Sequence, residues 1–413
     1  MLSVAVGVFG NQNAVEVEGG ETVRTPDNVK QERCYYIDWL RVLGMLVVFL
    51  FHSARFFDSM VDWHVKNGQQ HMGFDVFIAF CGGWMMPLFF LISGGSTFYA
   101  LKRRSSKQYI GERFKRLVIP YIMGIFILIP PQRYMEALNK ARFSGSYLDY
   151  YLRILKLDYF DYIDWSFGFL GYYGTHLWFI GLLFVFSVVA LPLFLYLKRE
   201  TGQRFILSLS AVSERWGGIF LFAIPIVLIH FIVHITFGRD TNWHGFCYYI
   251  TIFIYGYILW SDKRFERAIL KHRWIALVAG ILCFSSMMAW YAIGDAVAVV
   301  ESRSYSLRAL LFSALWGMNT WSWLIFILSI GIKRLNFSSK VLGYCNEAIL
   351  PFYALHQTII LAIGFFVVKW NLNMMLKYPI IAVSSMIVIL AIYILLIRPI
   401  NAVRFLFGMR LKK

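Results

Sequence analysis

Charge is scarce in this chain: Asp, Glu, Lys and Arg make up 15% of 413 residues, against 59% hydrophobic. A soluble domain carries about 25% charged residues, so a water-soluble globule is excluded and a multi-span membrane protein is indicated. A mean hydropathy of +0.60 agrees. Acidic residues are the scarcer kind, 23 against 40 basic ones, for a formal charge of +17. In a soluble protein that excess would suggest nucleic acid. Here it fits Lys and Arg in cytoplasmic loops, and no nucleic-acid partner is expected. Cysteine is equally sparse. Cys81, Cys247 and Cys283 lie inside apolar runs, and Cys34 and Cys345 lie at their edges. Their spacing implies neither a disulfide framework nor a metal site, and they read as small buried hydrophobes. The chain also lacks G-x-S-x-G, a Walker loop, H-E-x-x-H and C-x-x-C, which removes the usual soluble-enzyme readings.

What is present is a series of apolar runs. At spanning length they predict ten helices: Tyr35–Phe57, Asp75–Leu101, Leu117–Tyr134, His176–Leu197, Gly217–Thr236, His244–Trp260, Trp274–Gly294, Leu307–Ile332, Cys345–Trp370 and Tyr378–Ile397. The fold class expected is therefore all-α and polytopic. Residues 1–33 are polar and read as a disordered tail, with an opening run too short and too little basic for a good signal peptide. Residues 34–400 form the membrane domain, and 401–413 a short basic tail.

Connector charge sets the expected orientation. The second connector carries Lys102, Arg103, Arg104, Lys107, Arg113, Lys115 and Arg116, and the fourth, sixth and eighth are also basic. The first holds Asp58 and Asp62 against Lys66, and the seventh Asp295 and Glu301 against Arg303. Even connectors and both termini should face the cytoplasm of a bacterial inner membrane. The third connector, 132–175, is long, external and rich in Asp and aromatics (Tyr150, Tyr151, Asp158, Tyr159, Asp161, Asp164, Trp165). It suits sugar stacking or an interfacial helix in the aromatic belt.

The first span is the most informative, because it carries Asp38, Arg41, His52 and Arg55 at or near membrane depth. Such charges are costly there and usually serve a pathway or a reaction. Arg41 and His52 are separated by ten residues, which places them on one helix face roughly 16 Å apart along the axis. A guanidinium suits phosphate or carboxylate binding, or an ion pair with Asp38. An imidazole suits proton transfer. His230 and His234 share a face of the fifth span, but only His244 could join them, so no metal site is expected.

Several residues then converge on a known pattern. Arg41 and His52 lie in IDWLRVLGMLVVFLFH; FFLISGG (Phe89, Phe90, Ser93, Gly94) ends the second span; RFKRLVIPY (Arg113, Arg116, Pro120, Tyr121) follows; THLWFI (His176, Trp178, Phe179) and LPFYALHQ (Tyr353, His356, Gln357) come later. In this the chain resembles the acyltransferase-3 family of membrane acyltransferases from Tyr35 onward. Within the family it is most similar to the glucan succinyltransferase type, on WHV (Trp63, His64, Val65) and HLWF. Gly95–Ser96 departs from the aromatic many members carry after SG.

The resemblance implies O-acyl transfer from cytoplasmic acyl-CoA, succinyl-CoA or acetyl-CoA, to a hydroxyl of a periplasmic or cell-envelope glycan. On that reading Arg41, Arg113 and Arg116 bind the donor, with Arg41 also in the catalytic set. His52 is the general base. His356 orients the acceptor or polarises the carbonyl. His176, Trp178, Tyr353, Gln357, Asp38 and Ser93 line the substrate path. Partners would be acyl-CoA, the glycan, the bilayer and glycan-synthesis proteins. The rival readings are a transporter of an anionic metabolite and a non-catalytic partner of a glycan synthase; the lack of an internal repeat counts mildly against the transporter.

Overall fold

A chain in hydrocarbon has no water to satisfy its peptide groups, so helices that pair their own N–H and C=O groups are the expected solution. The computed structural model follows that rule. Among the described residues (34–60, 62–155, 175–237, 243–294 and 305–412) all regular structure is helical, with no strand. In chain order the helices are α1 (Tyr35–Ala54), α2 (Met72–Arg103), α3 (Ser106–Asn139), α4 (Tyr147–Leu155), α5 (Thr175–Val189), α6 (Leu191–Leu197) and α7 (Glu200–Glu214). There follow α8 (Gly218–Val233, with a further turn to Phe237), α9 (Trp243–Leu259), α10 (Lys263–Ala292), α11 (Leu307–Arg334), α12 (Lys340–Val367), α13 (Met374–Ile397) and α14 (Asn401–Leu406).

Seven helices, α1, α2, α3, α10, α11, α12 and α13, are long and apolar enough to cross a membrane. The pair α5 and α6, bent by 49° at its break, makes an eighth if it is one span. α9, at 17 residues, and the shorter α8 fall below the 18-residue length of that criterion. All ten expected segments are thus helical, while spanning length is met by seven or eight of them.

The third connector differs more. It was expected from 132, yet α3 continues to Asn139. Pro130 and Pro131 open a new helical segment at Ile129 and do not end the old one, since a proline in a first turn forfeits no helical hydrogen bond. Within that connector α4 seats Tyr150 against Tyr134 and Phe143. Asp158, Tyr159, Asp161, Asp164 and Trp165 lie outside the described residues, as do Asp295, Glu301, Arg303 and 1–33. The C-terminal segment is likewise no loose tail: Arg404 is buried, and its Nη1 donates to Glu347 Oε1 at 2.8 Å.

Two contacts position the site. α2 and α9 touch backbone to backbone: a Cβ on Gly94 would lie 2.0 Å from Phe253 O, and one on Gly256 1.9 Å from Leu91 O. Only glycine permits that approach, the small-residue packing used inside bilayers. α1 and α12 run side by side in the same direction. Trp39 Nε1 donates to Phe337 O at 3.1 Å at one end, and at the other Phe49 meets Phe352 at 5.6 Å and His52 meets His356 at 4.9 Å.

Candidate active site

The helical period of α1 sorts its side chains. Leu43, Leu46 and Leu50 are exposed on one side, and Met45 and Val48 are buried between Arg41 and His52 on the other. Both polar groups therefore point into the bundle and not to lipid, which is where an intramembrane ionisable group must go.

At the far end of this line three imidazoles meet. The His52 and His356 rings are 4.9 Å apart between centroids, and those of His356 and His176 5.3 Å. Hydrogen bonds fix their protons, because a carbonyl oxygen only accepts. His52 Nδ1 donates to Val48 O at 2.9 Å and His356 Nδ1 to Tyr353 O at 2.5 Å, leaving each Nε2 as a bare lone pair. His176 takes the other tautomer: Nε2 donates to Ala354 O at 2.9 Å, so Nδ1 accepts. The His356 Nε2 is fully buried and has no hydrogen-bond partner among the described residues. Leaving a buried nitrogen unmatched costs about 1–3 kcal/mol, a penalty that proteins mostly tolerate at working sites.

The local backbone of His176 is strained as well. Thr175 sits at φ +39°, a left-handed conformation that a β-branched residue rarely adopts. Its Oγ1 lies 3.2 Å from His176 Nδ1. Tyr353 Oη donates to His176 O at 2.5 Å, which ties the turn to α12.

Behind the imidazoles a polar chain joins His176 and Gln357 to residues for which the sequence suggests no role. Gln132 Nε2 is 3.3 Å from His176 Nδ1 and 2.8 Å from Thr358 Oγ1, and Gln357 Nε2 donates to Gln132 Oε1 at 3.1 Å. Gln357 Nε2 also lies 3.2 Å from His64 Nε2, and His64 Nδ1 is 2.5 Å from Glu136 Oε2. Glu136 in turn holds Lys140 at 2.8 Å and Arg133 at 3.3 Å. In the sequence His64 stands out only for its WHV context, and Gln132 and Glu136 fall in the expected third connector. Their shared helix face, four residues apart on α3, was the available signal.

At the opposite end of α1 the groups are cationic. Arg41 Nη1 pairs with Asp38 at 3.1 Å, and its Nη2 donates to Ser96 Oγ at 3.0 Å. The Ser96 departure is thus Arg41's own partner. Arg113 donates to Thr97 Oγ1 at 2.9 Å and lies over the Tyr109 ring, 5.2 Å from its centroid. Arg116, three residues on, is exposed on the same stretch of α3.

The structure therefore brings together His52, His356, His176, Tyr353 and Gln357 at one end, and Asp38, Arg41, Arg113 and Arg116 at the other. Ser93 is buried on α2 one turn from Thr97, whose hydroxyl donates to Ser93 O at 3.0 Å. Trp178 is turned away from the imidazoles, toward Phe90 and Tyr249. Arg55 pairs with Asp58 at 2.8 Å, so a substrate carboxylate would have to compete for it. His230 Nδ1 and His244 Nε2 are 2.7 Å apart, and no group of three metal-ligating side chains converges among the described residues.

Comparison with known proteins adds an independent line. The family profile described as "Acyltransferase domain" matches residues 35–397. The chain is similar to proteins named "Glucans biosynthesis protein C" from Escherichia coli strains 536 / UPEC and SMS-3-5 / SECEC, each 24% identical over 359 residues, 82% of this chain and 85% of the relative. No solved structure matches it.

Proposed function

This chain belongs to the acyltransferase-3 family of membrane acyltransferases, and from that premise we propose that it moves a succinyl or acetyl group from acyl-CoA to a glycan hydroxyl. The donor enters from the cytoplasmic side of a bacterial inner membrane, its phosphates at Arg41, Arg113 and Arg116 and its thioester reaching along α1 toward the imidazoles. The acceptor arrives from the opposite side. The glucan-related name of the relatives supports a glycan acceptor.

The observation that carries this reading is the pair of bare Nε2 lone pairs on His52 and His356, on the same inward line as Arg41. An alcohol is a weak nucleophile at neutral pH and needs its proton removed as it attacks. His52 Nε2 takes the hydroxyl proton while the oxygen bonds to the thioester carbonyl carbon. The C–S bond then breaks, and the imidazolium returns the proton to the departing thiolate, leaving an ester and free CoA. His356, His176 and Gln357 position the acceptor, and Tyr353 and Gln132 hold them in place. Arg41, held by Asp38 and Ser96, steadies the arm of the donor.

The test is transfer of radiolabel from acyl-CoA to glucan by the purified protein in nanodiscs. Wild-type protein should place label on the sugar. His52→Ala, at unchanged melting temperature, should lose about a hundredfold or more of kcat. Normal transfer by that variant would refute the role of His52. Label that crosses the disc without joining the sugar would instead favour transport.

A further inference from the structure

The Arg113–Arg116 pair sits at a break in α3. Residues Phe114–Val118 form a π turn, in which Ile119 N–H bonds back to Phe114 O. Pro120 explains it, since it has no N–H to offer Arg116 O four residues earlier. The face of Arg116 so exposed is covered by the C-terminal segment. Gly408, at φ +64°, packs against it so closely that a Cβ there would lie 2.8 Å from Arg116 O and 2.8 Å from Pro120 Cγ.

That segment is fastened at several points. Arg404 Nε donates to Arg410 O at 2.8 Å, and Met409 N to Arg404 O at 2.9 Å. Asn401 and Lys412 exchange two hydrogen bonds of 3.1 and 2.9 Å, and Glu347 anchors Arg404. Residues 401–412 therefore form a hook that turns back onto α3. The hook brings Arg410 within electrostatic reach of Arg116, together with Arg113 and Arg41. Glu112, an acid within electrostatic reach of Arg116, is engaged by Arg104 at 2.9 Å. Arg41 has Asp38 at 3.1 Å, but no carboxylate among the described residues pairs with Arg113, Arg116 or Arg410. Like charges so gathered repel one another, and a polyphosphate is the chemistry that relieves them.

We propose that the C-terminal hook is a wall of the donor site and that Arg410 takes the outlying ribose phosphate of the nucleotide. This rests on acyl-CoA as donor. With the thioester directed toward His52, the adenosine end lies farthest from the imidazoles, at the rim where the hook sits. The inner arginines then hold the pyrophosphate, and Arg410 holds the 3′-phosphate. An anionic lipid headgroup presents the same phosphate chemistry, so the test separates the two.

The experiment measures the Kd of the full-length protein for CoA and for 3′-dephospho-CoA, in nanodiscs of zwitterionic lipid with and without phosphatidylglycerol. Arg410→Gln should weaken CoA about tenfold, the worth of one charge-assisted contact, and leave dephospho-CoA within twofold. Arg410→Lys should be intermediate. The hook is held by the Arg410 carbonyl and not by its side chain, so melting should not change. Gly408→Ala, which pushes the hook off Arg116, should give the same selective loss. Equal losses for both nucleotides, or none, would overturn the inference and leave the donor reading standing. So would an effect confined to discs containing phosphatidylglycerol, which would assign Arg410 to lipid. Wild-type protein that binds neither nucleotide would overturn the donor reading, and this inference with it.

Discussion

His356 carries a cost that its neighbours do not offset. Its Nε2 is buried and unmatched, while its Nδ1 is committed to Tyr353 O. Replacing the ring by leucine removes one made hydrogen bond, worth about 1 kcal/mol, and one unmade one of similar size. His356→Leu should therefore unfold within about 1 kcal/mol of wild type by denaturant or thermal melting while losing on the order of a hundredfold in transfer. A large loss of stability with activity intact would mean that the ring is only a packing element. At this scale the sequence was partly legible. Arg41 and His52 could be read because helix period alone puts them on one face. Gln132 and Glu136 share a helix face that helix period also gives, but their roles, like those of Ser96 and His64, come from partners many positions away, such as Glu136 from His64 at 2.5 Å. No local pattern encodes such a pairing.

Helices and their breaks decide where these groups point. Pro120→Ala would supply the N–H that Arg116 O lacks and favour regular α geometry through the π turn. The expected outcome is an unchanged or higher melting temperature with a several-fold higher KM for the donor, because Arg116 rotates away from Arg41. Gly94→Ala acts the other way. Its Cβ would meet Phe253 O at 2.0 Å, so α2 and α9 must separate, and a loss of at least about 1–3 kcal/mol should appear as a lowered melting temperature. Outside the spans, Asp262 caps α10 by accepting from Arg264 N at 2.8 Å. The hydrogen bond from the Arg264 side chain draws its carboxyl below the ordinary 3.8. A depressed carboxylate contributes stability above its unfolded value and loses it as pH falls through the folded one. Asp262→Ala should therefore cost about 1 kcal/mol at pH 7, unchanged down to about pH 5. The gap to wild type should then narrow below about pH 4 in melting curves. Element positions were the most legible layer of the sequence, because spanning hydropathy is a strong signal. The expected end of the third span, Tyr134, falls short of the observed Asn139 because the polar residues that follow Tyr134 lower the hydropathy without ending the helix.

For the whole molecule, charge and packing act together. Basic connectors at alternate loops predict that a cysteine introduced at Ser59 reacts with an impermeant thiol reagent from the periplasm. One at Ser105 should react only after the inner membrane is opened. Reversed labelling would invert the donor and acceptor sides and remove the basis for the proposed path. The burial of the imidazoles has a further consequence. Water competes with any alcohol for an activated thioester, and bulk water is present at overwhelming concentration. With the His356 Nε2 sealed from solvent and the His176 Nε2 committed to Ala354 O, adventitious hydrolysis of the proposed donor should be slow whenever no acceptor is bound. If acyl-CoA is the donor as proposed, a futile thioesterase drain on it would thereby be avoided, and substitutions that let solvent reach the ring, such as Gln132→Ala, should raise acceptor-independent hydrolysis.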